Sequence, residues 1–247
     1  MSSNWPAGVA RIVLPVVGST NAEAAARAPG PAWVLGLEQT AGRGRRARAW
    51  ASPRGNFHGS LVMQPKGHAA EVALRSFVAS LALRDALVAV TGLPQAFALK
   101  WPNDVLCNGG KIAGILLESL ATGGGVAHLV VGIGVNLIAT PDASMIEAGA
   151  VRPVTLLAET GQRVQPEAFL DALAPHFAAR EAQLVGQGFA SIRADWLAHA
   201  ANLGQPIRAR TGTATHHGTY ETIDEAGALI LMTAQGRLAI PAADVFF

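Results

Sequence analysis

The spacing of apolar and polar residues over positions 1–201 predicts an α/β domain. Apolar residues recur every three or four positions over 69–92, which indicates a long buried helix ended by Gly92. Two further helical patterns cover roughly 154–160 and 166–201. Short β-prone runs between turn residues predict strands at 10–17, 32–40, 55–65, 96–102, 111–120 and 127–137. We expect a mixed, largely antiparallel sheet backed by these helices.

The pattern changes near Asn202. From there to the last residue, short β-prone runs alternate with glycine turns. This arrangement is typical of a small barrel of about five strands. We therefore predict two domains, residues 1–201 and residues 202–247, without a long linker between them.

Composition adds limits to this picture. Half of the 247 residues are hydrophobic and 15% are charged, which favours a packed core over disorder. The formal net charge of +2 is too small for a global electrostatic role, so any basic function must be local. We expect no signal peptide, because the N-terminus lacks a basic region followed by a long apolar stretch. We expect no membrane span, because no segment offers ~20 uninterrupted apolar residues. With the single cysteine, Cys107, these features predict a soluble cytoplasmic protein.

Positive charge is concentrated in one segment, "QTAGRGRRARAW" at 39–50, and no Asp or Glu occurs from Gln39 to Ala70. Gly42 and Gly44 allow positive φ and close approach of the backbone to an anion. Arginine side chains offer paired donors for phosphate or carboxylate. Such a segment is also compatible with a solvated loop or with a patch that binds nucleic acid, although no DNA-reading helix pair or RNA-binding strand motif accompanies it.

Three further segments carry candidate chemistry. "KWPNDV" at 100–105 places Asn103 and Asp104 at the tip of a turn, either as ordinary turn residues or as a polar contact for a ligand or metal. Lys111 begins an apolar strand, where it is either a solvent-facing cation or a site residue. "VVGIGVNL" at 130–137 fails as a dinucleotide-binding fingerprint, because the third glycine is missing and Pro141 falls where a helix should run.

Together and in this order, the segments resemble the motif set of the biotin protein ligases. The resemblance extends from about residue 12 to the end and implies a catalytic core like that of class II aminoacyl-tRNA synthetases, followed by an SH3-like barrel. Two departures are visible: Ala47 replaces the usual third loop glycine, and the "AADVFF" ending lacks the usual Gly-Asp/Glu-Val. The motifs are "GSTN" (18–21), "EQTAGRGRRARAW" (38–50), "GNFHGSL" (55–61), "KWPNDV" (100–105), "GGKIAGILLE" (109–118) and "VVGIGVNL" (130–137).

The resemblance implies that biotin and ATP form biotinyl-5′-adenylate and that biotin is then transferred to a lysine of a biotin carboxyl carrier domain, with Mg²⁺ as cofactor. The residues it assigns to catalysis are Lys111, Arg45 and Arg48. It assigns to biotin Ser19, Thr20, Gln39, Gly42, Arg43, Arg45, Lys111, Gly114 and Gly132. It assigns to ATP and the adenylate Arg45, Arg48, Trp50, Asn103, Asp104, Lys111 and Asn136, with Asp104 also the candidate Mg²⁺ ligand.

Other hypotheses remain at this point. A lipoate ligase or octanoyl transferase of the same superfamily would share the fold but carry different motifs. A nucleic-acid-binding module would use the basic segment, and an inactive homologue would lack the charged residues that are present here. Because the first strand starts by about residue 10, we expect no DNA-binding domain, no specific DNA binding and no repressor activity. A homodimer is possible.

Overall fold

The computed structural model describes residues 4–122, 125–142, 144, 146, 147 and 149–247. The helices are α1 (Thr20–Ala25), α2 (Ala69–Ala73), α3 (Arg75–Thr91), α4 (Leu156–Thr160), α5 (Pro166–Gln187) and α6 (Phe189–Leu197). The strands of the first sheet are β1 (Ala10–Leu14), β2 (Ala32–Gly36), β3 (Phe57–Met63), β4 (Phe97–Lys100), β5 (Asp104–Cys107), β6 (Gly110–Thr122) and β7 (Gly125–Val135). Over the described ranges, no helix has both the length and the apolar character needed to cross a bilayer.

The seven strands follow the order β1-β2-β3-β7-β6-β5-β4. Only β1 and β2 run parallel and every other pairing is antiparallel, so the predicted mixed, largely antiparallel sheet is confirmed.

Alternate residues of each strand point to opposite faces of this sheet. On one face Phe57 packs edge-to-face on Phe169 of α5, with ring centroids 5.1 Å apart. On the other face Ser60 contacts α1. The helical core therefore lies on one side, and the side that carries α1 is left for the site.

The second sheet contains β8 (Pro206–Arg210), β9 (Thr215–Ile223), β10 (Leu229–Thr233), β11 (Gly236–Ile240) and β12 (Asp244–Phe246). Its order is β11-β10-β9-β8-β12, so the predicted five strands are present. Among the described residues, the hydrogen-bonded ladder leaves β11 and β12 as its two ends and does not close into a barrel. The indole Nε1 of Trp101 donates to the carbonyl of Gly227 at 3.1 Å and ties this sheet to the first domain.

Three predicted elements were wrong in detail. Asp104 does not lie at a turn tip but begins strand β5, which pairs with β4 and β6. The helix predicted over 166–201 is divided at Gly188, whose φ of 76° and ψ of 175° are incompatible with a helix. The helix predicted over 69–92 consists of two helices that meet at Leu74.

Candidate functional site

A cavity of about 270 Å³ lies between the α1 side of the first sheet, the basic loop and strand β12. Every site residue predicted from the sequence lines it except Gly42. The predicted residues that line it are Ser19, Thr20, Gln39, Arg43, Arg45, Arg48, Trp50, Asn103, Asp104, Lys111, Gly114, Gly132 and Asn136.

A chain of polar side chains, here called the α1 network, lies at the start of helix α1. The Oε1 atom of Gln39 accepts from the backbone N–H of Thr20 at 2.8 Å and from its hydroxyl at 3.0 Å. The Ser60 hydroxyl lies 2.8 Å from Thr20 Oγ1 and 2.6 Å from Asn21 Oδ1. Because a serine hydroxyl has one proton, it donates to only one of these two oxygens. The Thr20 hydroxyl has a proton of its own, which it donates either to Gln39 Oε1 or to Ser60 Oγ.

Glycines on the central strands make the floor of the cavity. A Cβ atom at Gly132 would lie 2.2 Å from Asn21 Oδ1, and one at Gly134 would lie 2.5 Å from Trp50 Nε1. At Gly114 a Cβ would lie 3.1 Å from the Trp50 ring. These positions therefore need glycine so that α1 and the Trp50 indole can approach the sheet. Trp50, expected near adenine, lies over the middle of the floor.

Two lysines share one carboxylate where β5 and β6 meet. Lys111 Nζ lies 2.7 Å from Asp104 Oδ1, and Lys100 Nζ lies 3.5 Å from Asp104 Oδ2. Burial alone would raise the pKa of Asp104, but the charges of Lys111 and Lys100 hold this pKa below its ordinary value. Burial lowers the pKa of Lys100, although Asp104 opposes that effect. With two ammonium groups and one carboxylate, the cluster favours an anionic ligand.

The basic loop forms a compact turn with a 3₁₀ segment at Arg45–Ala47. Positive φ occurs at Arg46 (56°), whereas neither Gly42 nor Gly44 has it, which corrects the expectation for these glycines. Gly42 is required for a different reason, since a Cβ there would lie 2.6 Å from the carbonyl oxygen of Trp50.

Most of the loop arginines have carboxylate partners within the protein. Ion pairs join Arg43 to Glu118 at 3.2 Å, Arg46 to Asp244 at 2.7 Å, Arg48 to Asp244 at 2.7 Å and Arg48 to Glu147 at 3.5 Å. Arg45 has no carboxylate within 4.0 Å among the described residues; its Nη1 donates to Asn103 Oδ1 at 3.3 Å. Burial lowers the pKa of Arg45, but a guanidinium remains charged at any physiological pH. Arg45 is therefore the loop cation most available to a ligand.

Sequence reasoning missed several residues of this site. Asn21 and Lys100 stand inside the motifs quoted for the resemblance, so their position beside assigned residues was a usable signal. Ser60 and Glu118 were also missed, although they too stand inside quoted motifs. Glu147 and Asp244 are acidic partners of the loop that lie far from it in sequence, and no pattern marked them as its partners.

Comparisons with known proteins agree on one family. The model described as the biotin/lipoate A/B protein ligase family matches residues 14–136, and the one described as the biotin protein ligase C terminal domain matches residues 203–247. The Paracoccus denitrificans protein named biotin–[acetyl-CoA-carboxylase] ligase is 60% identical over 232 residues, covering 93% of this chain and 97% of that protein.

More distant relatives support the same assignment. The Bacillus subtilis bifunctional ligase/repressor BirA is 32% identical over 88% of this chain, which spans 66% of that protein's length. The solved structure of biotin protein ligase from Aquifex aeolicus in complex with biotin and ATP matches with a TM-score of 0.82 at 25% identity, covering 96% of this chain and 98% of that one. The sequence, the fold and the cavity lead to the same conclusion: the chain belongs to the biotin protein ligase family of enzymes.

Proposed function

We propose that this protein joins biotin to ATP as biotinyl-5′-adenylate and then transfers the biotin to a lysine of a carrier domain. In the first step a biotin carboxylate oxygen attacks the α-phosphorus of ATP and pyrophosphate leaves. In the second step the lysine ε-amine attacks the acyl carbon and AMP leaves. The observation that carries this proposal is one cavity with a network of polar side chains beside one part and a net positive charge, two lysines around one carboxylate, beside another.

The α1 network matches the ureido ring of biotin. This ring has two N–H donors and one carbonyl acceptor, and the network brings the hydroxyl of Thr20 and the amide of Asn21 to the wall of the cavity. Gln39, which accepts from Thr20, supplies a further polar group beside the cavity. Lipoate has no ureido group, so it would leave these buried polar atoms without partners, at a free-energy cost of about 1–3 kcal/mol each.

The cationic residues suit the chemistry of adenylation. A carboxylate must approach a polyphosphate, so positive groups have to offset the repulsion and stabilise the charge that develops at the α-phosphorus. Lys111 is the proposed contact to both the carboxylate and the α-phosphate, with Arg45 and Arg48 completing the set. Trp50, Asn103 and Asn136 are the proposed nucleotide contacts.

Mg²⁺ is proposed as part of the substrate ATP·Mg²⁺. Within the described residues, no group of three or more His, Cys, Asp and Glu side chains could hold a metal. Asp104 is the candidate protein ligand, although Lys111 and Lys100 already contact its carboxylate. A Mg²⁺ ion that keeps its waters and binds mainly to phosphates needs only one such carboxylate.

The remaining roles are inferred from this activity. The name of the Paracoccus relative supports a biotin carboxyl carrier domain of a carboxylase as the acceptor.

A nucleic-acid role for the loop is disfavoured, because Arg43, Arg46 and Arg48 are already paired with carboxylates. Cys107 is no nucleophile, since burial and the charge of Glu159 raise its pKa to about 11. A cytoplasmic location fits this unpaired, buried thiol, and a homodimer stays a prediction.

The test compares Lys111→Ala with Lys66→Ala, an exposed lysine outside the cavity. Thermal unfolding should show that the wild type and both variants are folded, and calorimetric titration should show that the wild type binds biotin. Pyrophosphate release should fall about 100-fold or more in Lys111→Ala, because a charge contact to the reacting phosphate is lost, and stay unchanged in Lys66→Ala.

Two results would contradict the proposal. Binding of lipoate or octanoate in place of biotin would overturn the substrate while leaving the fold assignment intact. Full pyrophosphate release by Lys111→Ala would overturn the role given to that lysine.

A further inference from the structure

Asp244, on strand β12 of the second sheet, contacts the basic loop of the first domain. Its Oδ2 atom lies 2.7 Å from Arg46 Nη1 and 2.7 Å from Arg48 Nη2. Arg210, its register partner on β8, approaches the same oxygen at 3.2 Å. One carboxylate therefore joins the loop to the second domain.

The surroundings strengthen this contact. The Asp244 side chain is only 15% exposed, so its ion pairs are less screened than those of a surface carboxylate. Burial alone would raise its pKa, but hydrogen bonds and charge from the arginines hold the pKa below its ordinary value. Glu147 contributes a second carboxylate, 3.5 Å from Arg48 and 2.5 Å from Arg210. Such a network is worth more than an isolated surface pair.

The contact involves the residue of the loop that has an unfavourable backbone conformation. Arg46 is a non-glycine residue with φ of 56° and ψ of 32°, a left-handed conformation that costs about 1–2 kcal/mol. Its guanidinium is fixed by Asp244 while in this conformation. Arg45 is the preceding residue, and it points to Asn103 Oδ1 and to the carbonyl oxygen of Ala243. The ion pairs of Asp244 with Arg46 and Arg48, here called the clasp, therefore hold two residues that are close to Arg45 in the loop.

We propose that Asp244 is a positioning residue for the adenylation step, holding the loop so that Arg45 meets the phosphates of ATP. This inference rests on the proposed function. According to this proposal, the second domain contributes to the binding of ATP through Asp244. The α1 network contacts Glu118 but not Asp244, so the binding of biotin should depend little on the clasp.

The kinetic test uses Asp244→Asn, which removes the charge but keeps the shape, and Asp244→Glu, which restores the charge. The matched control is Glu221→Gln, which breaks an exposed pair with Arg237 in the same domain. Pyrophosphate release is measured with ATP and biotin varied in turn. We expect the KM for ATP to rise about tenfold in Asp244→Asn, the KM for biotin to change less than about twofold, and Asp244→Glu to recover part of the loss. An equal rise in both KM values would overturn the proposal, because it would indicate general damage to the site.

Limited trypsin digestion of the ligand-free protein gives a readout without catalysis. Asp244→Asn leaves every loop arginine in place, so a faster cut at 43–48 reports a loosened loop. We expect faster cleavage in Asp244→Asn and wild-type cleavage in Glu221→Gln. Equal cleavage of Asp244→Asn and the wild type would overturn the clasp. If the wild type releases no pyrophosphate with biotin, the proposed function fails, and this digestion alone decides whether Asp244 holds the loop.

Discussion

At the scale of single residues, His58 is a buried titratable group without a full set of partners. It lies on β3 with 1% of its surface exposed. Its Nδ1 atom lies 3.4 Å from the carbonyl oxygen of Gly36, so the N–H belongs there, and Nε2 has no partner among the described residues. Burial lowers the pKa of His58 to about 4, so the folded protein holds it neutral.

His58 should therefore make the stability depend on pH. Its folded pKa of about 4 is below the ordinary value of 6.5, so the unfolded chain takes up the proton first as the pH falls. Above pH 6.5 the residue is neutral in both states and the free energy of unfolding keeps its full value. At pH 5 this free energy should be about 2 kcal/mol lower than at pH 7, because the unfolded chain has taken up the proton. Urea unfolding at pH 7 and pH 5 measures the loss, and His58→Gln should show a smaller one. Equal losses in both proteins would contradict the assignment.

Residues inside one motif were predictable, whereas partners across the fold were not. Lys111 and Asp104 were assigned from sequence, and the structure brings them to 2.7 Å. Asp244 is 196 residues from Arg48, and no local pattern marks it as the partner of the loop. Its identity depends on how the two sheets pack, which a one-dimensional pattern does not contain.

At the scale of elements, the break at Gly188 positions helix α6. After the turn, Trp196 donates from Nε1 to Ser80 Oγ on α3 at 2.9 Å. Arg180 on α5 joins Asp85 at 2.7 Å and Asp195 at 2.6 Å, so three helices are linked behind the sheet. The break was not predicted from the sequence because helix-forming residues continue on both sides of Gly188.

Replacing Gly188 should show the need for this break. Its φ of 76° with ψ of 175° is reached almost only by glycine, so Gly188→Ala should lower the free energy of unfolding by about 1–3 kcal/mol. Gly186→Ala, inside α5 with no atom within 4 Å of the added Cβ, should instead raise it by about 0.4–1 kcal/mol. Urea unfolding distinguishes the two. The same change in both variants would show that the conformation of Gly188 is not required.

Strand β5 illustrates a limit of pattern reading at this scale. It is only four residues long and follows the turn at 101–103, so its polar first residue, Asp104, looked like part of the turn. Its pairing with β4 and β6 shows that it is a strand, whereas its short apolar run was too brief to predict one. The long periodic helix α3 and the long strands β6 and β7 were predictable because each repeats its pattern many times.

At the scale of the whole molecule, the two sheets share one hydrophobic core. Buried residues of the second sheet, such as Tyr220 and Leu229, belong to the same cluster as Trp33 and Phe57 of the first. The predicted boundary at 201/202 stays a prediction. The composition and motifs predicted the fold class and the family, but the closure of the site by the second domain followed only from the three-dimensional packing.

The position of Trp50 means that the intrinsic fluorescence of the protein should respond to ligand binding. Of the five tryptophans, all within the described residues, Trp50 alone lines the cavity, while Trp33, Trp101 and Trp196 are buried elsewhere. Its indole lies on the glycine floor with Lys111 Nζ 5.6 Å from the ring. A ligand that enters must change the polarity and charge around this ring, so intrinsic fluorescence should shift on addition of biotin and ATP. In Trp50→Phe the shift should vanish although four tryptophans remain, and occupancy of the site could then be followed in unlabelled wild-type protein by emission alone.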